Sequence, residues 1–253
     1  MKKNSGNTIY GIHAVEELLS RRINQIERIF FDAERTKGNI FALLKQCKKN
    51  KLPYQCVPGK RLDQIAGTAK HQGVVAFCTV KPFEDMDSIL HRIEGAASPP
   101  LLLVPASLED PRNLGALIRT CVAFGVNAIL LERKNTTPLS AAVAKSSAGM
   151  LEHMPVVRPS NLEKVIKELA GKGFSVIGAV AEADKKPHQV DLSGPTVIIT
   201  GGEHRGIPSY LKKLCTDFAG IPIVKKVQSL NVSVAASIML YECVKQRGFI
   251  FEE

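Results

Sequence analysis

The sequence predicts an α/β protein of two modules, the second of them built on a mainly parallel sheet. Short apolar runs alternate with segments of helical periodicity along the whole chain. In the second module these runs lack interleaved polar residues, which is typical of strands buried on both faces. A Gly-, Ala-, Ser- and Pro-rich stretch at 95–100 has the composition of a linker between the modules.

The first module is predicted over residues 1–80 as a small α/β sandwich. Helices are expected over 11–19, 40–50 and 62–66, and strands over 28–31, 54–57 and 73–78. This module carries 14 Lys and Arg against 6 Asp and Glu, whereas the rest of the chain carries 20 against 18. Most of the net charge of +10 therefore lies in the first third. A basic surface of this kind suits nucleic acid, and a solvated face that only aids solubility is the alternative.

A linker is predicted over 81–100, with a possible short helix at 86–93. The second module follows over 101–253 as alternating strands and helices, which means a parallel sheet covered on both faces. Its strands are expected over 101–105, 128–131, 155–157, 174–180, 196–200 and 219–223. Its helices are expected over 114–124, 140–151, 162–170, 209–214 and 232–246.

Several classes of protein are disfavoured by composition. No apolar run approaches the roughly 20 residues of a membrane span, and the N-terminal stretch has no apolar signal segment, so a cytoplasmic protein is expected. The six cysteines show no C-x-x-C spacing and are expected to be buried free thiols. The six histidines show no H-x-x-x-H spacing, so no metal site is expected.

Polar residues concentrate where three predicted strands end, and a parallel sheet binds ligands outside those ends. After the first strand, a helix beginning near Asn113 carries Arg119 on the side opposite its buried stripe. Its neighbours on that strip include Gly115 and Ala116, so another surface can approach the guanidinium and be gripped by it. An exposed helical arginine and a simple Asn113 N-cap are the alternatives.

The second strand end is Thr200-Gly201-Gly202-Glu203, where consecutive glycines let backbone amides approach a ligand closely. Neither a P-loop nor a G-x-G-x-x-G pattern is present, so a plain glycine turn is the alternative.

The third strand end runs from Ile221 through a basic loop to Ser229, Leu230 and Asn231, at the start of an apolar helix. A helix N-terminus favours a carboxylate or another electron-rich group. One polar residue suffices for a cap, so the others are candidates for binding.

These three segments, "NLGALIRTCVAFG", "VIITGGEHRGIP" and "IPIVKKVQSLNVSVAASIMLYE", resemble motifs 1, 2 and 3 of the SpoU (TrmH-type) branch of the SPOUT RNA methyltransferases. The stretches "IYGIHAVEELL" and "HQGVVAFC" are similar to that family's substrate-binding domain, which is like ribosomal protein L30e. Within the family the chain most resembles the bacterial enzymes that methylate guanosine 2'-hydroxyls in 23S rRNA.

The resemblance implies a parallel-sheet SPOUT domain with a deep trefoil knot, S-adenosylmethionine bound in the knot, and a homodimer. The cofactor-binding residues it implies are Thr200, Gly201, Gly202, Ile221 and Leu230. The catalytic set it implies is Arg119, Asn113, Glu203, Ser229 and Asn231. Asn113 and Glu203 would orient Arg119, and Ser229 and Asn231 would shape the ribose and cofactor site.

The expected RNA-facing residues of the first module are Tyr10, His13, His71 and Gln72, each with a structural role as the alternative. The function implied is transfer of a methyl group to a ribose 2'-hydroxyl, with 23S rRNA as the expected RNA. A tRNA ribose methyltransferase keeps the chemistry and changes the substrate. A non-catalytic RNA-binding or ribosome-assembly protein and an ordinary nucleotide-binding enzyme are the remaining alternatives.

Overall fold

The structure of the protein, a computed structural model, describes residues 8–23, 26–35, 37–78, 81–133, 135–202, 206–224 and 226–249. The chain divides into two compact units. The first combines the residues up to Pro82 with Pro138–His153, and the second combines Phe83–Thr137 with the residues from Met154 onward.

The first unit contains a four-stranded mixed sheet. Its strands are β1 (Thr8–Tyr10), β2 (Ile26–Asp32), β3 (Tyr54–Val57) and β4 (Val74–Cys78), in the order β1-β4-β2-β3. Its first three helices are α1 (Ile12–Arg21), α2 (Asn39–Lys49) and α3 (Gly59–Ala66). The predicted helices and strands of this module are confirmed, with ends shifted by a few residues. Strand β1, which was not predicted, pairs with β4 in antiparallel register.

The second unit is built on a six-stranded sheet in which every neighbouring pair described is parallel. The chain order is α4 (Met86–Ile93), β5 (Leu101–Pro105), α5 (Pro111–Ala123), β6 (Ala128–Leu130), α6 (Ala141–Ser146), β7 (Val156–Val157), α7 (Leu162–Gly171), β8 (Ser175–Ala179), β9 (Thr196–Thr200), α8 (Ser209–Lys212), β10 (Asp217–Ala219) and α9 (Val232–Gln246). Of these elements, only α6 lies in the first unit. The predicted α/β fold with a parallel sheet is confirmed.

Helices cover both faces of the second sheet, as its continuous apolar strands predict. Leu102 and Val104 of β5 pack into one core with residues of α4, α7 and α8. Side chains alternate along a strand, so Leu101 and Leu103 point to the opposite face, and they are equally buried. That face is covered by α9, which contacts β8 and β9, and by α5, which contacts α9.

The segment predicted as one helix over 140–151 is broken in the structure. Helix α6 ends at Ser146, and Ala148 and Gly149 then adopt φ values of 51° and 87° before a 3₁₀ turn. A Cβ on Gly149 would lie 2.5 Å from Cγ of Glu17, so the chain needs glycine to pass α1 this closely. A nearly buried ion pair between Arg22 and Glu152 also ties this segment to the first unit.

The strand predicted over 219–223 was placed wrongly, because β10 occupies Asp217–Ala219 instead. At Gly220 the backbone runs close to the loop after β8, and a Cβ there would lie 2.8 Å from the carbonyl oxygen of Ala183. Pro222 has no amide hydrogen to donate to a neighbouring strand, so the ladder cannot continue through it.

All six cysteines lie in the described residues and none forms a disulfide. Burial is confirmed for Cys47, Cys78, Cys121 and Cys243, whereas the prediction was wrong for Cys56, which is exposed. Burial raises the pKa of Cys47 to about 11. Within the described ranges, no three potential metal ligands cluster together and no helix could span a bilayer. The trefoil knot stays a prediction.

Candidate functional site at the switch point of the sheet

The sheet of the second unit reverses its strand order between β5 and β9. From β5 the chain proceeds outward through β6 and β7, and it then returns to place β9 and β8 on the other side of β5. Pro105 and Thr200, the last residues of β5 and β9, are register partners, so both strands end at the same edge. Parallel α/β sheets bind ligands at this position.

The turn after β9 is packed tightly against the loop after β5. A Cβ on Gly202 would lie 2.4 Å from the carbonyl oxygen of Ser107, and a Cβ on Gly201 would lie 2.5 Å from the backbone of Gly206. Any side chain at either position would displace main chain, so both residues must be glycine. The loop after β5 and the turn after β9 are thus in direct contact.

Thr200 is buried at this edge with an unused polar atom. Its carbonyl oxygen accepts a hydrogen bond from the Ala106 amide at 2.9 Å. Its hydroxyl oxygen is buried and has no hydrogen-bond partner in the described part of the chain. Buried hydroxyls are nearly always paired, so an unpaired one marks a place where a bound molecule can supply the partner.

Helix α5 begins earlier than predicted. Asp110 is its N-cap and accepts a hydrogen bond from the Arg112 amide at 2.7 Å, and Pro111 takes the first helical position. Hydrogen bonds from the Arg112 side chain and amide hold the pKa of Asp110 below its usual range. Asn113 is therefore not the cap, and it lies in the first helical turn.

Arg119 lies two turns further along α5, and its side chain is exposed. It makes no hydrogen bond or ion pair with any residue that the structure describes. Its neighbours Gly115 and Ala116 on α5 are small. The predicted buried stripe on the other side of α5 is confirmed, since Leu114, Leu117, Ile118 and Cys121 are fully buried.

Asn231 joins the start of α9 to the start of α5. Its side-chain oxygen accepts hydrogen bonds from the amide and hydroxyl of Ser233, at 2.9 and 2.6 Å, which makes it the N-cap of α9. Its Nδ2 donates to Oδ1 of Asn113 at 3.1 Å. Two predicted site residues from distant parts of the sequence are therefore in contact.

The remaining predicted site residues are less tightly placed. Ser229 is exposed, and Leu230 and Ile221 are half-buried in the stretch that leads into α9. None of the described hydrogen bonds joins Ser229 or Arg119 to the pair of asparagines. Glu203, with the neighbouring His204 and Arg205, lies outside the described residues.

The first unit holds a second polar cluster, which includes a residue that sequence reasoning missed. The Nζ of Lys145 lies 4.9 Å from the ring centroid of Tyr10. Partial burial, and then the nearby charge of Lys70, lower the pKa of Lys145. Lys145 has no acidic partner among the described residues. Its position between β6 and β7 in the sequence gave no sign that it belongs to the first unit.

Of the expected RNA-facing residues, His71 has a structural role. It is buried, its Nε2 lies 3.0 Å from Asp63 Oδ1, and its Nδ1 accepts a hydrogen bond from the Gly73 amide. Gln72 has a φ of 57°, and its side-chain oxygen accepts a hydrogen bond from the Ile12 amide at 3.0 Å. His13 is exposed.

Comparison with known proteins identifies the class and then the family. Residues 8–84 match the model for RNA 2'-O ribose methyltransferase substrate binding, and residues 100–241 match a methylase model. The fold and these matches define an RNA methyltransferase with its own substrate-binding domain. The chain belongs to the SpoU rRNA Methylase family, whose model covers the whole of the switch-point site.

Full-length relatives confirm the resemblance. The chain is 36% identical to the 23S rRNA (guanosine-2'-O-)-methyltransferase RlmB of Photobacterium profundum, over 96% of this chain and 99% of the relative. It is 34% identical to the enzyme of the same name from Ralstonia nicotianae, over 96% of each chain.

Solved structures share the fold. The SpoU methyltransferase AviRb from Streptomyces viridochromogenes, in complex with AdoMet, aligns with a TM-score of 0.78 at 21% identity, over 95% of this chain and 89% of that one. The AdoMet-bound rRNA methyltransferase from Sinorhizobium meliloti aligns with a TM-score of 0.76 at 22% identity, over 96% and 88%.

Proposed function

We propose that this protein methylates a ribose 2'-hydroxyl in RNA, that S-adenosylmethionine is its methyl donor, and that a guanosine of 23S rRNA is its target. The single observation that carries the proposal is the hydrogen bond between Asn113 and Asn231 at the switch point of the sheet. It unites the first and third motifs at the edge where this fold binds ligands. The rRNA target is supported by the full-length relatives, and ribosomal RNA as the substrate implies a cytoplasmic location.

The residues at the carboxyl edge suit the proposed cofactor. Thr200 offers a buried hydroxyl with no partner among the described residues, and Gly201 and Gly202 lie half-buried in the adjoining turn. Ile221 and Leu230 supply half-buried apolar surface beside them in the proposal. When bound, S-adenosylmethionine would supply a methyl group on a positively charged sulfur. The neutral thioether that remains after the sulfur–methyl bond breaks is a good leaving group.

The main task of the protein in this reaction is positioning. The ribose oxygen must lie in line with the methyl group, and holding both partners in that geometry removes a large entropic barrier. We assign Asn113 and Glu203 to orienting Arg119, and Ser229 and Asn231 to shaping the ribose site. The capping bonds of Asn231 fix its amide, so its Nδ2 has a defined direction.

Arg119 serves as an electrostatic group in this proposal. A guanidinium holds its proton too tightly to act as a general base in a protein, so we give Arg119 no role in removing the proton. A fixed guanidinium can hold a neighbouring phosphate and stabilise the negative charge that develops on the 2'-oxygen as its proton leaves. Its exposure and its small neighbours on α5 leave room for RNA to reach it.

Replacement of the arginine tests this assignment. Arg119→Ala is expected to lower the rate of methyl transfer by about 100-fold or more, since one lost electrostatic donor typically costs that much. Cofactor affinity, measured by isothermal titration, is expected to stay within about twofold. Arg92→Ala, which removes an exposed arginine on α4, serves as the matched control and should leave both quantities unchanged. Loss of cofactor affinity in Arg119→Ala would contradict the assignment.

We further propose that the protein works as a homodimer through the exposed face of α9. Val234, Ile238 and Tyr241 recur at positions i, i+4 and i+7 and are all exposed. Tyr241 also makes ring contacts with Phe124 at 6.4 Å and Phe249 at 5.8 Å between centroids. An apolar and aromatic stripe of this kind on a helix beside the site suits a partner subunit.

A further inference from the structure

The carboxylate of Glu132 joins the loop after β5 to helix α8 at the switch-point edge. Glu132 follows β6, and its Oε2 accepts a hydrogen bond from the Ser107 amide at 2.8 Å. Its Oε1 accepts a hydrogen bond from the hydroxyl of Tyr210. Ser107 lies in the loop that joins β5 to α5, and Tyr210 lies in α8, which begins directly after the glycine turn that follows β9.

The loop after β5 needs this support because its conformation is unfavourable by itself. Ser107 has a φ of 50°, in the left-handed region that residues with a Cβ rarely adopt. On its other side, the carbonyl oxygen of Ser107 would be only 2.4 Å from a Cβ on Gly202. Ser107 is therefore held between Glu132 and the glycine turn, so we expect a shift at Glu132 to move the backbone beside Gly202.

The backbone of Glu132 is itself held in place by Arg158. Its carbonyl oxygen accepts a hydrogen bond from Nε of Arg158 at 3.2 Å, and the Arg158 guanidinium lies 5.2 Å from the ring centroid of Phe83. Glu132 is half-buried, which limits competition from water for its two acceptor oxygens. A fixed carboxylate of this kind can define the distance between the loop after β5 and helix α8.

We propose that Glu132 is a positioning residue for methyl transfer, one that holds the loop before α5 and the turn after β9 in the relative placement that the reaction needs. It acts through Ser107 and Tyr210, without touching substrate or cofactor. The inference rests on the proposed function, because it assigns the start of α5, with Asn113 and Arg119, to the active site. Neither motif spacing nor the family matches single out Glu132.

Two substitutions at Glu132 distinguish a positioning role in catalysis from a general contribution to the stability of the fold. Glu132→Ala removes both acceptors and is expected to lower kcat by about 10- to 100-fold, with KM for RNA within about twofold, because small displacements of reacting groups cost rate before they cost binding. Glu132→Gln keeps an acceptor for the Ser107 amide and a donor for the Tyr210 oxygen, so it is expected to retain activity within about threefold. Glu168→Ala, an exposed glutamate on α7, is the matched control and should have no effect.

Hydrogen exchange provides a readout that is independent of catalysis. In Glu132→Ala, amides in 106–110, 201–202 and 206–207 are expected to exchange faster than in the wild type, while those of β5 and β9 are unchanged. If the wild-type protein proves inactive, the proposed function fails. Hydrogen exchange then still tests whether Glu132 holds the two segments in place. If Glu132→Ala loses its fold, Tyr210→Phe removes one hydrogen bond only and should lower kcat by about fivefold.

Three outcomes would overturn the proposal. One is a Glu132→Ala enzyme with wild-type kcat and wild-type exchange in both loops. Another is a Glu132→Gln enzyme as inactive as Glu132→Ala, since charge and not hydrogen-bond geometry would then be responsible. The third is a rise in KM with kcat unchanged, which would place Glu132 in RNA binding.

Discussion

At the scale of single residues, Asn231 has an observed structural role and a proposed role at the site. Its oxygen caps α9 through Ser233, and its nitrogen reaches Asn113 on α5. The sequence alone suggested more polar residues here than a cap requires, and the structure shows that one side chain both caps α9 and contacts Asn113. Ser229 remains exposed, so its proposed place beside the ribose depends on bound RNA.

Substitution of Asn231 separates the two tasks. Asn231→Ala is expected to lower the free energy of unfolding by about 1 kcal/mol, the usual cost of a lost N-cap. Asn161→Ala is the matched control, because Asn161 caps α7 through the Lys164 amide at 2.9 Å, and it should cost a similar amount. Only Asn231→Ala should also lose methyl transfer, by about tenfold or more. Equal activity of the two variants in a methylation assay would show that Asn231 is a cap alone.

At the scale of secondary structure, the sequence predicted most elements because their apolar periodicity decides them. Strands such as β5 and β9 matched residue for residue, since continuous buried runs leave no other interpretation. The errors at 140–151 and 219–223 arise where Gly149 and Gly220 pass close to distant backbone. These close contacts join residues that are far apart in the sequence, so the local pattern of apolar and polar residues cannot predict them.

The candidate site follows the same division. The three polar strand ends were evident because parallel strands finish at one edge. The hydrogen bond between Asn113 and Asn231 was not predictable, because it depends on how α9 packs beside α5. The hydrogen bonds of Glu132 to Ser107 and Tyr210, and the place of Lys145 in the first unit, also depend on tertiary packing. Short-range spacing in the sequence carries no trace of either.

Helix α6 belongs to the first unit, which we propose binds RNA. Substitution of Lys145 tests whether α6 takes part in that binding. The Lys145 ammonium lies over the Tyr10 ring and close enough to Lys70 to feel its charge, and Lys145 has no acidic partner among the described residues, which suits an RNA phosphate. Lys145→Ala is expected to weaken RNA binding and to reduce the slope of log affinity against log salt by about one. Lys172→Ala, at the end of α7, should change neither. An unchanged salt slope in Lys145→Ala would remove Lys145 from the RNA surface.

At the scale of the whole molecule, the apolar stripe of α9 predicts the oligomeric state. Wild-type protein is expected to sediment as a dimer, and Ile238→Glu is expected to shift it to monomer by placing a charge in a buried contact. Phe41→Glu replaces another exposed apolar residue, on α2, and should remain dimeric. Analytical ultracentrifugation at several concentrations provides the measurement. A monomeric wild type would refute the proposed use of α9.

The central claim is that a ribose hydroxyl of RNA receives the methyl group. The most direct measurement uses S-adenosylmethionine with a labelled methyl group and unmodified 23S rRNA or tRNA, followed by alkaline hydrolysis. A 2'-O-methylated ribose cannot attack its own phosphate, so the label is predicted in an alkali-resistant dinucleotide that contains guanosine, from 23S rRNA only. Label in ordinary mononucleotides would mean that a base was methylated, and that result, or no incorporation at all, would contradict the account.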